Sequence, residues 1–239
     1  MKTKIKILLF VVVTVSPGIY AQYTGYGIGI GGNYNYTTTS RMYLNPNSSD
    51  LFTRNENIPM DDITGYSLDL RYKFSEFLIL GLNADLITKK GVTTDVVVVS
   101  DAGVLSIEAE DGYRLIPVEF TVYYLMPFSL EKLKFYMGGG VGFYFGSHIR
   151  KFKDVEAVNV KRDFEYGIHV SVGMDYMITD YLSVRGEMKF RDPEFEMTSG
   201  YSKNEFQIGE KKYTIPHEQF DSKVNIDGAT FSLGAAFHF

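Results

Sequence analysis

The chain has 239 residues, is 45% hydrophobic with a mean hydropathy of −0.08, and carries a formal charge of −5, with 18 Tyr, 18 Phe, 23 Gly and neither Trp nor Cys. The lack of cysteine excludes disulfide frameworks, thiolate metal sites and thiol nucleophiles, and so apolar and aromatic a composition excludes a disordered chain. The acidic balance argues against a nucleic-acid partner.

The N-terminus opens with three lysines in "M-K-T-K-I-K", then the apolar run Ile7 to Val15, then Ser16-Pro17-Gly18 and "I-Y-A-Q". A basic start, a short apolar stretch and a small residue after a helix-breaking pair form the pattern of a secretory signal peptide. The run has about half of the ~20 residues needed to span a membrane. The expectation is a leader over 1–21, cut between Ala21 and Gln22, and a single domain over 22–239. Losing Lys2, Lys4 and Lys6 takes the 24 basic residues to 21 against 29 acidic ones, a net charge of −8.

After residue 22 the recurring signal is alternation of period two over roughly ten residues, which is how membrane-spanning β-strands read. The first stretch sets Tyr26, Ile28, Ile30, Tyr34 and Tyr36 against Gly and Asn. The second sets Tyr66, Leu68, Leu70, Tyr72 and Phe74 against Ser67, Asp69, Arg71 and Lys73, and a Ser75-Glu76 turn leads to the third, Leu78 to Leu86. The fourth carries Ile116 to Met126 against Glu119, Thr121 and Tyr123, and the fifth Phe135 to Phe145 against Gly138, Gly140, Gly142, Tyr144 and His148. In the sixth, Tyr166 to Tyr176 oppose Glu165, His169, Ser171 and Asp175. The seventh, after a Thr179-Asp180 turn, opposes Leu182, Val184, Met188 and Phe190 to Arg185, Glu187, Lys189 and Arg191. The eighth is "S-L-G-A-A-F-H-F", with Phe231, Leu233, Ala235, Phe237 and Phe239 on one face.

Connections alternate between short turns and long loops over 37–62, 88–114, 149–164 and 197–225, with "V-V-V-V-S-D-A-G-V-L-S-I" reading as strands extended through a hairpin. The pattern predicts an all-β fold, an eight-stranded antiparallel transmembrane up-and-down barrel. A soluble barrel would turn its apolar face inward. Here the polar face gathers Asp69, Arg71, Lys73, Asp85, Glu119, Glu165, Asp175, Arg185, Glu187, Lys189 and Arg191 among many glycines, which suits a narrow, filled lumen where long charged groups need small neighbours. Pro117 cannot donate to a ladder, so a bulge near the outer rim is expected there. Pro193 is expected above the membrane in an extended seventh strand.

These features together resemble the small outer-membrane β-barrel families that include the OmpA transmembrane domain, OmpX and OmpW, over essentially the whole chain after the leader. The sharpest motif is Ser232, Gly234, Phe237 and Phe239, which fill that family's C-terminal assembly signal in order. The resemblance implies reading of this strand by the barrel-assembly machinery, and an outer-membrane location in a Gram-negative-type bacterium. No cell-wall-binding domain follows the barrel, so no tether of that kind is implied.

Candidate chemistry is sparse. Some eight-stranded barrels modify lipids through a His-x-Ser pair, and His169 with Ser171 has that spacing. Both take the inward parity, away from lipid, so an ordinary interior pair is expected and the chain is read as no enzyme. The mixed charges read as a salt-bridged plug, with a narrow ion path, or a passage for apolar molecules of the OmpW kind, as the competing reading. His148, His217 and His238 lack companions at metal-ligand spacing and are expected as surface or rim residues; no metal or cofactor is implied. The basic stretch from Arg150 to Arg162 is expected as a solvated loop able to touch lipopolysaccharide phosphates. The expected assembly is a monomer in outer-membrane lipid.

Overall fold

A computed structural model of the chain describes residues 27–239, apart from 102, 163, 210 and 217. The leader expected over 1–21, its Ala21–Gln22 junction, Tyr26 and His217 lie outside the described residues. In chain order the elements are β1 (Ile28–Thr37), β2 (Arg41–Tyr43), α1 (Leu51–Asn55), β3 (Asn57–Pro59), β4 (Ile63–Lys73), β5 (Leu78–Ser100), β6 (Gly103–Leu125) and β7 (Leu133–Phe152). There follow β8 (Val155–Arg162), β9 (Phe164–Met177), β10 (Leu182–Arg191), β11 (Glu194–Tyr201), β12 (Glu205–Ile208), β13 (Lys211–Thr214), β14 (Gln219–Asn225) and β15 (Ala229–His238).

Eight of these close into an antiparallel barrel in the order β1, β4, β5, β6, β7, β9, β10, β15 and back to β1. They are the eight stretches read from the sequence. Closure is sealed where Ile28 and Phe239 exchange backbone hydrogen bonds of 3.2 and 2.8 Å. A closed ladder leaves no edge, which hydrocarbon requires of any sheet.

Parity decides which face is which. Along β4, Leu68 is 69% exposed while its neighbour Asp69 is 4% exposed, and the alternation runs unbroken from Ile63 to Lys73. An exterior this apolar, continued by Leu80, Leu82, Phe120, Val122, Val170 and Leu233, is matched by lipid and not by water. On β5 the apolar exterior runs from Leu78 to Leu86 before Thr88 and Lys90 replace it. Nine residues at about 3.3 Å each, tilted as barrel strands are, cover roughly 20–25 Å, the height of a membrane band.

The lumen is filled. The glycines that line it make room chiefly for tyrosine rings, and less for charged chains than the sequence suggested. A Cβ on Gly81 or Gly138 would stand 2.6 or 2.5 Å from the ring of Tyr123, and one on Gly173 would stand 2.5 Å from the Tyr136 hydroxyl. The rings therefore lie flat against bare backbone, and the charged side chains pass between them.

Three expectations are corrected. The long connections over 149–164 and 197–225 are largely strand, and that over 37–62 contributes two short strands: β8, β11, β14, β2 and β3 form a second sheet in that order, and β13 pairs with the far end of β5 at Val99. With the protruding β5–β6 hairpin, whose extension was expected, they build a cap. Pro117 causes no bulge, because β5 and β6 keep one register through Ala84↔Val118 and Ile87↔Leu115. The ladder simply has no pairing at Asp85 and Leu86, where Pro117 offers no N–H, while Pro117 pairs normally with Tyr144 on its other side. Pro193 does not extend the seventh strand; the chain breaks after Arg191 and β11 leaves for the cap sheet.

Candidate functional site: lumen and cap

β10 presents Arg185, Glu187, Lys189 and Arg191 on successive inward positions, and each of the four reaches toward the opposite wall. Arg185 holds Asp175 on adjacent β9 through two bonds of 2.7 and 2.8 Å and also Asp69 on β4. Glu187 accepts from Arg71 of β4 at 2.6 Å, and Arg71 lies 3.2 Å from Asp69. The Arg71 guanidinium is clamped between Tyr123 and Tyr136, 4.1 and 4.6 Å from their ring centres. One level up, Lys189 donates to Glu119 of β6, and Arg191 donates to Asp85 at 2.8 Å and Glu119 at 3.0 Å. Two tiers of ion pairs thus cross the lumen. Of the other residues expected there, Lys73 is buried toward the short-turn end and Glu165 is half-buried on β9.

His169 and Ser171 are both buried and inward, as expected, yet they do not bond each other. His169 Nε2 bonds Thr121 Oγ1 at 2.8 Å, while His169 Nδ1 and Ser171 Oγ find no hydrogen-bond partner among the described residues. Ser232 and Gly234 are half-buried, and Phe237 and Phe239 face outward at 51% exposure each. His238 sits inward at the rim against Ser183, at 2.8 Å.

Above the apolar band the interior changes character. Tyr113, Leu115 and Tyr144 from the barrel wall pack with Met42, Phe195, Met197 and Val224 from the cap. A second cluster joins Val96, Val98 and Ile107 of the hairpin to Phe152, Val155 and Phe206. At the level of the first cluster lies a buried polar group that the sequence reading missed. His148, expected at the surface, is 3% exposed: its Nε2 meets Asp111 at 2.9 Å and its Nδ1 meets Ser222 at 2.7 Å. A carboxylate only accepts, so in the neutral ring Nε2 carries the proton and Ser222 donates to Nδ1. Arg150 grips both oxygens of Asp111, at 2.6 and 3.0 Å, and reaches Tyr201 at 3.1 Å.

Burial pushes His148 below the ordinary histidine value, and the Asp111 hydrogen bond only partly opposes this. Burial works against ionising Asp111, but hydrogen bonds from His148 and Arg150 and the nearby charge outweigh it and hold the carboxyl below its usual range. Ser222, His148 and Asp111 have the order of nucleophile, base and orienting acid. Ser222 is fully buried, however, and Asp111 is committed to Arg150, so the relay ties β14 of the cap to the barrel wall. Parity carried far enough finds these residues: Asp111 is four alternations from Glu119, and His148 and Arg150 continue the inward run of Tyr144.

The basic stretch 150–162 is also revised. Arg150 is buried beneath the cap, and Lys151 is paired with Glu156 at 2.6 Å. Among the described residues no group of three His, Asp or Glu side chains is arranged to hold a metal.

A closed eight-stranded barrel, apolar outside and ionic within, defines a membrane protein that crosses the bilayer with strands. Residues 7–239 match the family described as outer membrane protein beta-barrel domain, and the chain belongs to that family, which places it at the outer membrane. The outer membrane protein OprG from Pseudomonas aeruginosa is similar in structure, with 15% identity and a TM-score of 0.60 over 93% of this chain and 99% of that one. The attachment invasion locus protein Ail of Yersinia pestis gives 11% identity and a TM-score of 0.45, over 90% of this chain and 99% of that one. Outer Membrane Protein W of E. coli gives 16% and 0.38, over 87% and 98%. At such identities the likeness is one of fold alone. No curated protein matches the chain in sequence.

Proposed function

We propose that this protein is a non-conducting outer-membrane barrel whose exposed cap carries a surface-interaction role, without catalysis. The observation that carries the reading is the pair of ionic tiers spreading from β10 across the lumen, closed above by the apolar cluster around Tyr113 and Phe195. Desolvated ions paired in this way are costly to separate, so water and ions have no open path. Single-channel recording on refolded protein tests it: the expected trace is flat, and a stable open conductance would sink the reading.

The associated partners are outer-membrane lipid, lipopolysaccharide at exposed lysines such as Lys151 and Lys153, and the barrel-assembly machinery at Ser232, Gly234, Phe237 and Phe239. The protein works as a monomer and reaches the membrane of a Gram-negative-type cell through a leader cut after Ala21.

One observation favours a second reading, passive passage of small apolar molecules. The ladder gap at Pro117 adjoins a hollow of about 650 Å³ in the wall, where outward Gly32 and Ala84 leave Asn33 and Asp85 within reach of the lipid side. Pro117→Val restores the missing donor. Uptake of an apolar dye into proteoliposomes that falls in this variant supports passage, and equal uptake with and without the protein removes it.

A further inference from the structure

The cap contains a cleft that neither the ionic tiers nor the wall hollow accounts for. It has a volume of about 580 Å³, within the range of small-molecule sites. Five separate segments converge on it: the turn after β2, β5 near its tip, β7 at Arg150, β11 at Tyr201, and Ile215 and Pro216 with Gln219 to Asp221.

Its floor is held rigid from below. Arg150 is fixed by Asp111 and Tyr201, and its guanidinium lies 4.6 Å from the ring centre of Phe220. Phe220 in turn packs against Tyr201 with ring centres 4.9 Å apart and planes tilted by 34°, and meets the buried His148 edge-on at 5.1 Å. Aromatic side chains locked in this way form a platform that pays little entropy on binding.

The polar lining discriminates among ligand classes. The two charged groups that border the cleft are already answered, Arg150 by Asp111, and Asp221 by Asn47 at 2.9 Å and Thr198 at 2.8 Å. An anion entering therefore finds no unpaired positive charge, and a cation meets only a carboxylate whose two oxygens already accept from neutral donors. Asn45, Ser48 and Gln219 are neutral groups that both donate and accept. A wholly apolar ligand would leave those amides and hydroxyls without partners, which is costly when water is displaced. A molecule with an apolar C–H face and a rim of hydroxyls matches both the aromatic floor and the amide rim.

We infer that this cleft binds a neutral saccharide of two or three sugar units, with the Tyr201–Phe220 pair under the sugar face and Asn45, Ser48 and Gln219 on its hydroxyls. The inference rests on the reading that the cap is the working end, yet its test is independent of lumen conductance.

The experiment uses the full barrel refolded into phosphatidylcholine nanodiscs, with no maltoside detergent, and saturation-transfer NMR against maltotriose, chitotriose and lactose at millimolar concentration. Decanoate and glycylglycine serve as the apolar and zwitterionic comparisons. At least one saccharide is expected to give a transfer signal that weakens at least tenfold in Gln219→Ala and Asn45→Ala. Both side chains are exposed, so these variants fold, and the shift in gel mobility on heating verifies it. Tyr66→Ala, on the lipid face away from the cleft, should leave the signal unchanged. No saccharide signal from the folded protein, a signal indifferent to both variants, or stronger binding of decanoate or glycylglycine overturns the inference. A flat conductance trace beside any of these results leaves the non-conducting reading standing while the saccharide site falls.

Discussion

The two halves of β6 solve opposite problems with the same parity. From Leu125 down to Leu115 its outward residues, Tyr124, Val122, Phe120 and Ile116, meet lipid, and its inward ones include Thr121 and the fully buried Glu119. From Tyr113 to Ile107 the inward residues turn largely apolar, with Tyr113, Ala109 and Ile107 buried around Asp111, while Arg114, Glu110 and Glu108 take the other face. Solvent accounts for the inversion. Hydrocarbon outside the barrel supplies no reason to bury apolar groups within, so the lumen is held by charge. Water around the cap restores the ordinary hydrophobic driving force, so the cap is held by apolar clusters.

The comparison is broken most sharply at Glu119. Removing it as Glu119→Ala leaves Lys189 and Arg191 buried with a single carboxylate, Asp85, between them. The expected loss is about 3–5 kcal/mol, read from urea unfolding in lipid vesicles. Adding Lys189→Met should return part of it, and additive effects would show that the two do not interact. An unchanged midpoint in the single variant would mean that the lumen is not held by charge.

Next in size is the same substitution placed on both sides of the boundary. Leu82→Lys puts a charge in the apolar band and should cost about 2–4 kcal/mol, by depth in the bilayer. Val104→Lys, on the exposed hairpin tip at 71% exposure, should stay within about 0.5 kcal/mol. Equal effects would remove the boundary drawn between Leu86 and Thr88.

The smallest effect belongs to His148 and to the cap alone. Its pKa is depressed when folded, so the unfolded cap takes up the proton first as pH falls below about 6.5. Stability is therefore full above that value and drops as pH descends toward the folded pKa, by at most about 1.4 kcal/mol per pH unit. After correction for the pH dependence of intrinsic exchange, the protection of cap amides near Ser222 should fall between pH 7.5 and 5.5 while that of barrel amides holds. His148→Gln should flatten that difference.

Legibility followed the same boundary. The barrel strands declared themselves because lipid on one side and a narrow lumen on the other enforce strict alternation, as from Tyr66 to Lys73. The cap did not. β2 and β3 are three residues each, too short to show a period, and β8 turns Val158 and Val160 outward, so its apolar residues mislead. Parity places the charged residues expected in the lumen on inward positions, with Glu165 only half-buried, but their pairing across the barrel depends on strand order and stagger. His148 was misjudged because its partners are 37 and 74 positions away. Pro117 was rightly singled out, though the ladder accommodates it by omission and not by insertion.

The charges of β10 also have a mechanical consequence. In the ring of eight strands, Arg191 and Asp85 stand on opposite sides, and Arg185 to Asp69, Glu187 to Arg71 and Lys189 to Glu119 span nearly as far. Such chords stiffen a tube against flattening, as spokes keep a wheel round. A bilayer that squeezes from the side would have to stretch several of them at once before the cross-section became oval. The circular outline of this thin-walled cylinder is therefore set from its centre as well as by the hydrogen bonds around its circumference.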